Sequence, residues 1–519
     1  PSNRTGTRPR ASSTCKTPRH RPTERLCRGP GSRGHRVVVA EKFPEPYTLP
    51  RAVHADHEVA RILQQVGIRP DTNPAFEPFD GVVEFRNATR ETLLELDWRG
   101  PGPSGWPVGN FFSQPELERE LDARVRTLPA VTVLRGQEVT GYEEVSDGVA
   151  LTLRTHPHGS EKAPKTITAT YLVGCDGANS STAGLAGLTS KDLGFFFDWL
   201  IVDVVPPAGM TFDPLGWQLC DPARPTTLTP AGPGRRRFEF MALPGERRED
   251  LDRTERAWEL LAPWGLDERN STLERHTVYR FQARWAQQWR AGRVLIAGDA
   301  AHLMPPFAGQ GLCAGLRDAH NLAWRLDLVL AGKAGDALLD TYGTERAEHV
   351  RHFIELSMRF GEIICVTDPE AAARRDEVLR SAPPPPPESP RLGPGVLAAG
   401  NDAAGLNAIQ ARVRVGHRTG LFDDLAGYGW TVLSTRPFPT LSGAAQAALD
   451  RLEVRVVIIG SGLEDVDGRY GAWLRGLGAE AVLIRPDFFV YAAVPSVGDL
   501  DRTLVELDAQ VPTARALAT

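Results

Sequence analysis

At 519 residues, with 41% apolar and 24% charged side chains, the chain is long enough for about three domains and a substantial core. A formal net charge of −5 offers no basic face for nucleic acid, and no apolar run approaches the roughly 20 residues of a membrane-spanning helix. Six cysteines, at 15, 27, 175, 220, 313 and 365, form no CxxC pair; neither a disulfide framework nor a metal site is expected, and with no signal-peptide core the chain reads as cytoplasmic.

The first 36 residues hold ten Lys or Arg against one acid, Glu24, among many Pro, Ser and Thr. Such a stretch has too little apolar surface to order itself, so residues 1–33 are expected to be disordered, or a wrong-frame or mis-assigned start. The character changes at Gly34. Val37, Val38, Val39, Ala40 and Glu41 read as a β-branched strand ending in an acid, which fits the second strand of a dinucleotide-binding βαβ unit. A first strand and its GxGxxG loop belong about 20 residues earlier. Gly29, Pro30 and Gly31 stand in that neighbourhood with no apolar strand before them, so the parallel sheet is expected to be incomplete and the pyrophosphate to lose its glycine cradle.

Leu49-Pro50-Arg51-Ala52-Val53 follows, with His54 and His57 placed on the helix after it. Gln114 opens an amphipathic helix through Leu121 and Val125, as a cap or as a ligand contact. The apolar run from Tyr171 ends at Asp176-Gly177, an acid followed by a residue that permits close backbone approach. Trp199–Val205 and Arg237–Leu243 read as strands of a sheet over residues 190–285, with about 75–110 contributing, and Phe238 and Phe240 read as core.

Arg293–Leu326 is the most informative stretch. Val294–Ala297 is a short apolar strand stopping at Gly298-Asp299; a loop with Pro305, Pro306, Gly309 and Gly311 then delivers the chain into a helix whose apolar residues recur at Leu312, Leu316, Ala319, Leu322, Ala323 and Leu326. The unpaired N–H groups at that helix start favour an electron-rich partner, and Asp299 can accept hydrogen bonds from hydroxyls. Helix is expected onward to about Leu379, then a proline-rich connector over 381–404. Beyond 405, Thr431–Leu433, Arg455–Ile459 and Ala481–Ile484 read as strands. Ile458-Ile459-Gly460-Ser461-Gly462 has Asp465 where a third glycine belongs, so no second nucleotide site is expected.

Arg293–Leu326 resembles the second FAD-binding signature of the single-component flavoprotein aromatic hydroxylases, relatives of p-hydroxybenzoate and phenol hydroxylase, and Tyr171–Ser180 resembles their Asp-Gly signature. The resemblance implies an α/β fold. Its parts are a Rossmann-like FAD-binding domain of the glutathione-reductase type (34–190 and 285–380), an interleaved β-sheet substrate domain (190–285), and a thioredoxin-like C-terminal domain (405–519) that lacks CxxC. It further implies that Glu41 binds the adenosine ribose, that Arg51 approaches flavin and pyrophosphate, and that Gln114 and Asp176 reach FAD. Asp299 is implied to bond the ribityl chain. Pro306, Gly309 and Gly311 lie in the loop beside the isoalloxazine, and the Leu312 and Cys313 amides face its pyrimidine end, while His302 is structural.

Cys220–Pro225, Arg236–Met241 and Pro244-Gly245-Glu246 look most like the 3-(3-hydroxyphenyl)propionate hydroxylase branch, which hydroxylates phenolic acids ortho to an existing hydroxyl. The implied activity is FAD- and NADPH- or NADH-dependent hydroxylation of a small aromatic substrate by molecular oxygen, through a flavin hydroperoxide. No catalytic residue is assigned, and the oligomeric state is left open, a homodimer being one assembly it allows. Where the family usually has an arginine, this chain reads Ser181-Thr182-Ala183-Gly184. The alternatives are a polyketide or drug-modifying hydroxylase, and a flavin-free remnant.

Overall fold

The computed structural model describes residues 11–17, 34–156, 163–385 and 388–513, the first of these through its backbone. Val37–Glu41, the C-terminal half of Lys165–Gly174 and Val294–Ile296 are apolar and largely buried, as strands covered on both faces of a parallel sheet must be. In the sheet, Val294–Ile296 lies beside Lys165–Gly174, followed by Ala11–Thr17, Val37–Glu41 and Val131–Arg135, all parallel. Parallel strands point the same way, so Glu41, Asp176 and Asp299, each at or just past a strand end, arrive at one edge. Open α/β sheets bind their ligands at this edge.

The expectation of a sheet without its first strand is corrected here. Ala11–Thr17 runs between Lys165–Gly174 and Val37–Glu41 and pairs with both. The physical reason lies in the neighbours: two flanking strands would otherwise leave rows of buried N–H and C=O groups unpaired, and a backbone of any composition can pair with them. Gly29, Pro30 and Gly31 lie outside the described residues.

A second, eight-stranded sheet stands over that edge, in the order His302–Leu303, Thr272–Ala286, Ser190–Val205, Arg236–Met241, Thr226–Pro230, Gly216–Leu219, Val82–Arg86 and Thr92–Asp97. Side chains alternate across it. Phe238 and Phe240 turn to the outer face, where they join Leu200, Val202 and Leu228 in a core capped by the helix Thr254–Leu261. Arg237, Glu239 and Ile201 face the other way, toward the first sheet.

Helix Gly311–Leu330 follows the Asp299 strand, with Ala314, Leu316, Ala319 and Leu322 buried. It ends because Gly332 takes the left-handed conformation, φ 70°, and the N–H groups of Lys333 and Ala334 both fold back to the Leu328 carbonyl. The unbroken helix expected toward Leu379 is instead two, Asp340–Ile364 and Pro369–Ser381. Asp-Pro explains the break: a residue before proline avoids helical ψ, and Asp368, at ψ 122°, instead caps the next helix by accepting from the Ala371 N–H at 2.7 Å.

In the C-terminal part, Thr431–Ser434 pairs in parallel with Arg455–Ile458 and antiparallel with Ala481–Ile484, which pairs with Val490–Val494. With helices Gly443–Arg451, Arg469–Gly476 and Leu500–Gln510 between and after them, this is a thioredoxin-like arrangement. It is tied to the helices behind the site by a fully buried cluster of Arg325, Glu345, Arg485 and Asp487. Among the described residues no helix is long and apolar enough to cross a membrane.

Candidate active site

Between the acidic sheet edge and the second sheet lies a cavity of about 680 Å³. Of the residues singled out by sequence, Arg51, Asp299, Pro306, Gly309, Gly311 and Leu312 line it. Glu41, Gln114, Asp176 and Cys313 do not, and the hydrogen bonds of each show what it does instead.

Gln114 Oε1 accepts from the N–H groups of Arg51 and Ala52 at 2.8 and 2.7 Å, and its Nε2 donates to Glu118 Oε1 at 2.8 Å. From the opposite side Arg237 and Arg275 donate to the carbonyl of Pro50, and Arg237 also to that of Arg51. The Pro50–Ala52 segment is thereby clamped from both directions, and the Arg51 guanidinium stacks 3.8 Å over the Tyr47 ring. The Asp176 carboxylate turns back onto its own loop. It accepts from the N–H and Oγ1 of Thr182, both at 2.9 Å, and from Ser180 Oγ at 2.5 Å, so it fixes the start of the short helix Ser181–Leu185. Glu41 is buried, with Oε1 accepting from the Phe43 N–H at 2.9 Å. Cys313 packs its Sγ 3.6 Å from the Gly309 carbonyl.

Asp299 sits in a tight turn, Gly298–Ala300, held by Asp318 one helix away. Asp318 Oδ2 accepts from the Gly298 N–H at 2.9 Å and from His302 Nε2 at 2.7 Å, and Oδ1 accepts from Arg346 Nε at 2.8 Å. Burial would raise the Asp318 carboxyl, but the attraction of His302 and Arg346 outweighs it and holds the group below its ordinary range. His302 is thus a buried positioning group for the loop. The helix ladder begins with the Ala314 N–H donating to Gln310, which leaves Gly311, Leu312 and Cys313 without intrahelical acceptors.

The sequence placed His54 on a helix. It lies instead in a three-residue strand, His54–Asp56, paired with Gly109–Phe112, and it lines the cavity. Its ring stacks on Trp98 at 5.0 Å and meets Phe111 at 5.5 Å. Nδ1 lies 3.3 Å from the Gly309 carbonyl, which can only accept, so Nδ1 carries the proton and Nε2 the lone pair. Nε2 is buried with no partner among the described residues. Burial lowers the His54 pKa below its ordinary 6.5, with Asp56 opposing, so the ring is neutral at pH 7.

Gly309 holds φ 64°, and a Cβ there would come within 2.8 Å of His54 Nδ1. Gly309→Ala is therefore expected to lower stability by about 1–3 kcal/mol through left-handed strain and displacement of the imidazole, read as a lower denaturant midpoint.

Sequence reasoning also missed Arg237, Glu239, Tyr279 and Arg280, all on the cavity wall. For the first two the available signal was strand alternation, which puts 237 and 239 on the face opposite Phe238 and Phe240. Arg284 was missed as well. It donates to the Ala178 carbonyl, so a cation from the second sheet stands beside the Asp-Gly loop whose own arginine position is Ala183.

A parallel sheet with acids at its carboxyl edge, a glycine loop entering a helix, and a roofing sheet define a dinucleotide-type flavoprotein. A family model described as FAD binding domain matches residues 31–357, and one described as HcaD C-terminal domain matches 405–510. The chain belongs to the FAD-binding family of flavoprotein aromatic hydroxylases, and is by family an FAD-dependent aromatic-ring monooxygenase. It is 35% identical to the probable NADH-specific resorcinol 4-hydroxylase of Rhodococcus jostii (strain RHA1), over 93% of this chain and 92% of that protein. It is 38% identical to the 3-(3-hydroxy-phenyl)propionate/3-hydroxycinnamic acid hydroxylase of Mycobacterium sp. (strain JLS), over 67% of this chain and 60% of that longer protein. Among solved structures, aklavinone-11 hydroxylase with FAD and aklavinone matches with a TM-score of 0.79 at 23% identity, covering 97% of this chain and 99% of that one. The flavin-dependent monooxygenase PieE, with FAD and substrate, matches at 0.81 and 19%, with the same coverage. At such identities the likeness shows the fold.

Proposed function

We propose that this chain hydroxylates a single-ring phenol, consuming dioxygen and NADH and releasing water, with His54 taking the phenolic proton. The observation that carries this is the neutral, unpartnered His54 Nε2 on the wall of a cavity that also receives Asp299 and the start of helix Gly311–Leu330. NADH is inferred from the similarity, over nearly the whole chain, to the probable NADH-specific resorcinol 4-hydroxylase.

The residues present fit the flavin's ribityl and ring end. Asp299 would accept from the ribityl hydroxyls, the Gly311 and Leu312 amides would offer donors, and Pro306 and Gly309 would shape the surface for a flat ring. Arg51, held by Gln114, supplies positive charge, while Glu41 and Asp176 stand at the edge where the adenosine half belongs. When bound, FAD supplies the two-electron exchange with the nicotinamide and the activation of dioxygen. The protein's part is to orient and to deprotonate. Trp98 and Phe111 fix the imidazole, and a phenol hydroxyl that donates to Nε2 loses its proton there, making the ring carbons electron-rich. Phe281, Phe307 and Ile201 give the same cavity an apolar wall that disfavours water.

The visible spectrum of the purified full chain with added FAD tests the reading, followed by NADH oxidation and product analysis with phenols. Uptake of flavin and phenol-stimulated formation of a diol are expected. A chain that takes up no flavin would make the flavin-free remnant the better account.

A further inference from the structure

Three neighbouring strands of the roofing sheet place Gln218, Thr227 and Glu239 in one row on the cavity face, Gln218 opposite Thr227 and Thr227 opposite Glu239. Thr227 Oγ1 donates to Gln218 Oε1 at 2.6 Å, which orients the carboxamide. Glu239 is 8% exposed, and no hydrogen-bond donor among the described residues reaches its carboxyl. Its charged neighbours are Arg237 and Asp203, but Arg237 is committed elsewhere. It donates to Asp203 from Nε at 2.7 Å and Nη2 at 2.8 Å, and to the carbonyls of Pro50 and Arg51. Burial pushes the Glu239 carboxyl up to about 7, with Arg237 opposing and Asp203 adding to the shift. The Glu239 carboxyl opens onto the cavity, where a ligand that brings a donor can pair with it.

The cations on the same wall are engaged in a way that bears on ring acids. Arg280 donates to both oxygens of Asp198 at 3.0 and 2.8 Å. Arg248 lies 3.8 Å from that carboxylate and donates to the Val278 carbonyl at 3.2 Å, and Arg51 stacks on Tyr47. A substrate carboxylate that reached Glu239 would meet a second carboxyl there, beside an Arg237 already held by Asp203.

We propose that Glu239, backed by Thr227 and Gln218, is the specificity-determining residue: it accepts a hydrogen bond from the second hydroxyl of a neutral dihydroxybenzene and turns away phenols that carry a carboxylate. This rests on the hydroxylase reading above. It departs from the phenolic-acid substrate that the sequence resemblance implies, because the Glu239 carboxyl would face the acid's own carboxylate while its cationic neighbour Arg237 is bound to Asp203.

The test is calorimetric titration of the flavin-supplemented full chain with resorcinol, phenol and 3-(3-hydroxyphenyl)propionate, with product formation followed in parallel. At pH 8, where a carboxyl of pKa about 7 is mostly ionised, the wild-type chain is expected to bind resorcinol roughly 10- to 100-fold more tightly than phenol, the range for a hydrogen bond to a charged group, and more tightly than the acid. Glu239→Leu is expected to abolish the preference for resorcinol over phenol, while Glu239→Gln, which keeps an acceptor oxygen, retains most of it. Tighter binding of the acid by the wild-type chain overturns the inference, and this needs no variant. An unchanged resorcinol-to-phenol ratio in Glu239→Leu overturns it too. Diol formed with a preference for the acid sinks the role of Glu239 and leaves the hydroxylase reading standing; a preference for resorcinol with no product from any ring does the reverse.

Discussion

Replacing Glu345 by Ala is expected to destabilise the protein by about 3–5 kcal/mol, because it leaves two buried guanidinium groups with one carboxylate, Asp487, between them. Glu345 Oε2 lies 2.6 Å from Arg325 Nη2 and 2.7 Å from Arg485 Nη2, and Oε1 accepts from Arg485 Nη1 at 2.9 Å and from the Val396 N–H at 2.8 Å. Asp487 takes two further donors of Arg485 at 3.0 and 2.7 Å, and Asn321 bridges the two carboxylates at 3.0 and 2.8 Å. Two cations thus face two anions. Removing one anion leaves an uncompensated positive charge with no route to water. Arg325 and Asn321 belong to helix Gly311–Leu330, Glu345 to Asp340–Ile364, and Arg485 and Asp487 to the C-terminal part, so the loss is also expected to expose the connection between them to limited proteolysis.

The same group has a pH signature. Burial alone would raise the Glu345 carboxyl, but Arg325 and Arg485 bring it from 4.5 down to about 2. A carboxyl depressed in the folded state contributes stability that is full above pH 4.5 and is lost as pH falls toward 2, here about 3 kcal/mol. The wild-type denaturant midpoint should fall across that window, and Glu345→Gln should show a smaller fall. An Ala variant within 1 kcal/mol of wild type at pH 7, or equal acid slopes, would show that the cluster does not bear this load.

What could be read from the sequence was whatever a repeating pattern or a strand end announces. Glu41, Asp176 and Asp299 were legible because an apolar run that stops at an acid marks the carboxyl end of a parallel strand, and parallel pairing gathers such ends at one edge. Helix Gly311–Leu330 was legible from its period. His54 was not: a strand of three residues, His-Ala-Asp, has no period, and its direction comes from pairing with Gly109–Phe112, far along the chain. Glu239 was hidden for a different reason. Alternation separates it from Phe238 and Phe240, but which face meets the cavity is decided by where helix Thr254–Leu261 packs. Ala11–Thr17 was illegible because its place follows from the pairing needs of its neighbours.

Both unread residues line the cavity, and the larger kinetic effect is expected from the histidine. With Nδ1–H directed at the Gly309 carbonyl, Nε2 is the only ring nitrogen of His54 able to accept a proton, and burial keeps it unprotonated at pH 7. A positioned base contributes on the order of 10²- to 10⁴-fold. His54→Ala is expected to lower kcat/KM for phenol hydroxylation by that factor, with flavin uptake retained because Asp299 and the helix start are untouched. The pH profile separates this from mere loss of packing. In the wild-type chain the acid limb should lie below 6.5, since burial lowers the imidazole pKa; in the variant the rate should climb with pH toward the substrate's own ionisation. Added imidazole should restore part of the rate at pH 7, because the side chain removed leaves room for it beside Trp98. A profile that keeps its shape, or a rate within threefold of wild type, would assign the proton to another acceptor. The remaining contact, between Trp98 and the ring, would then describe a packed wall and not a base.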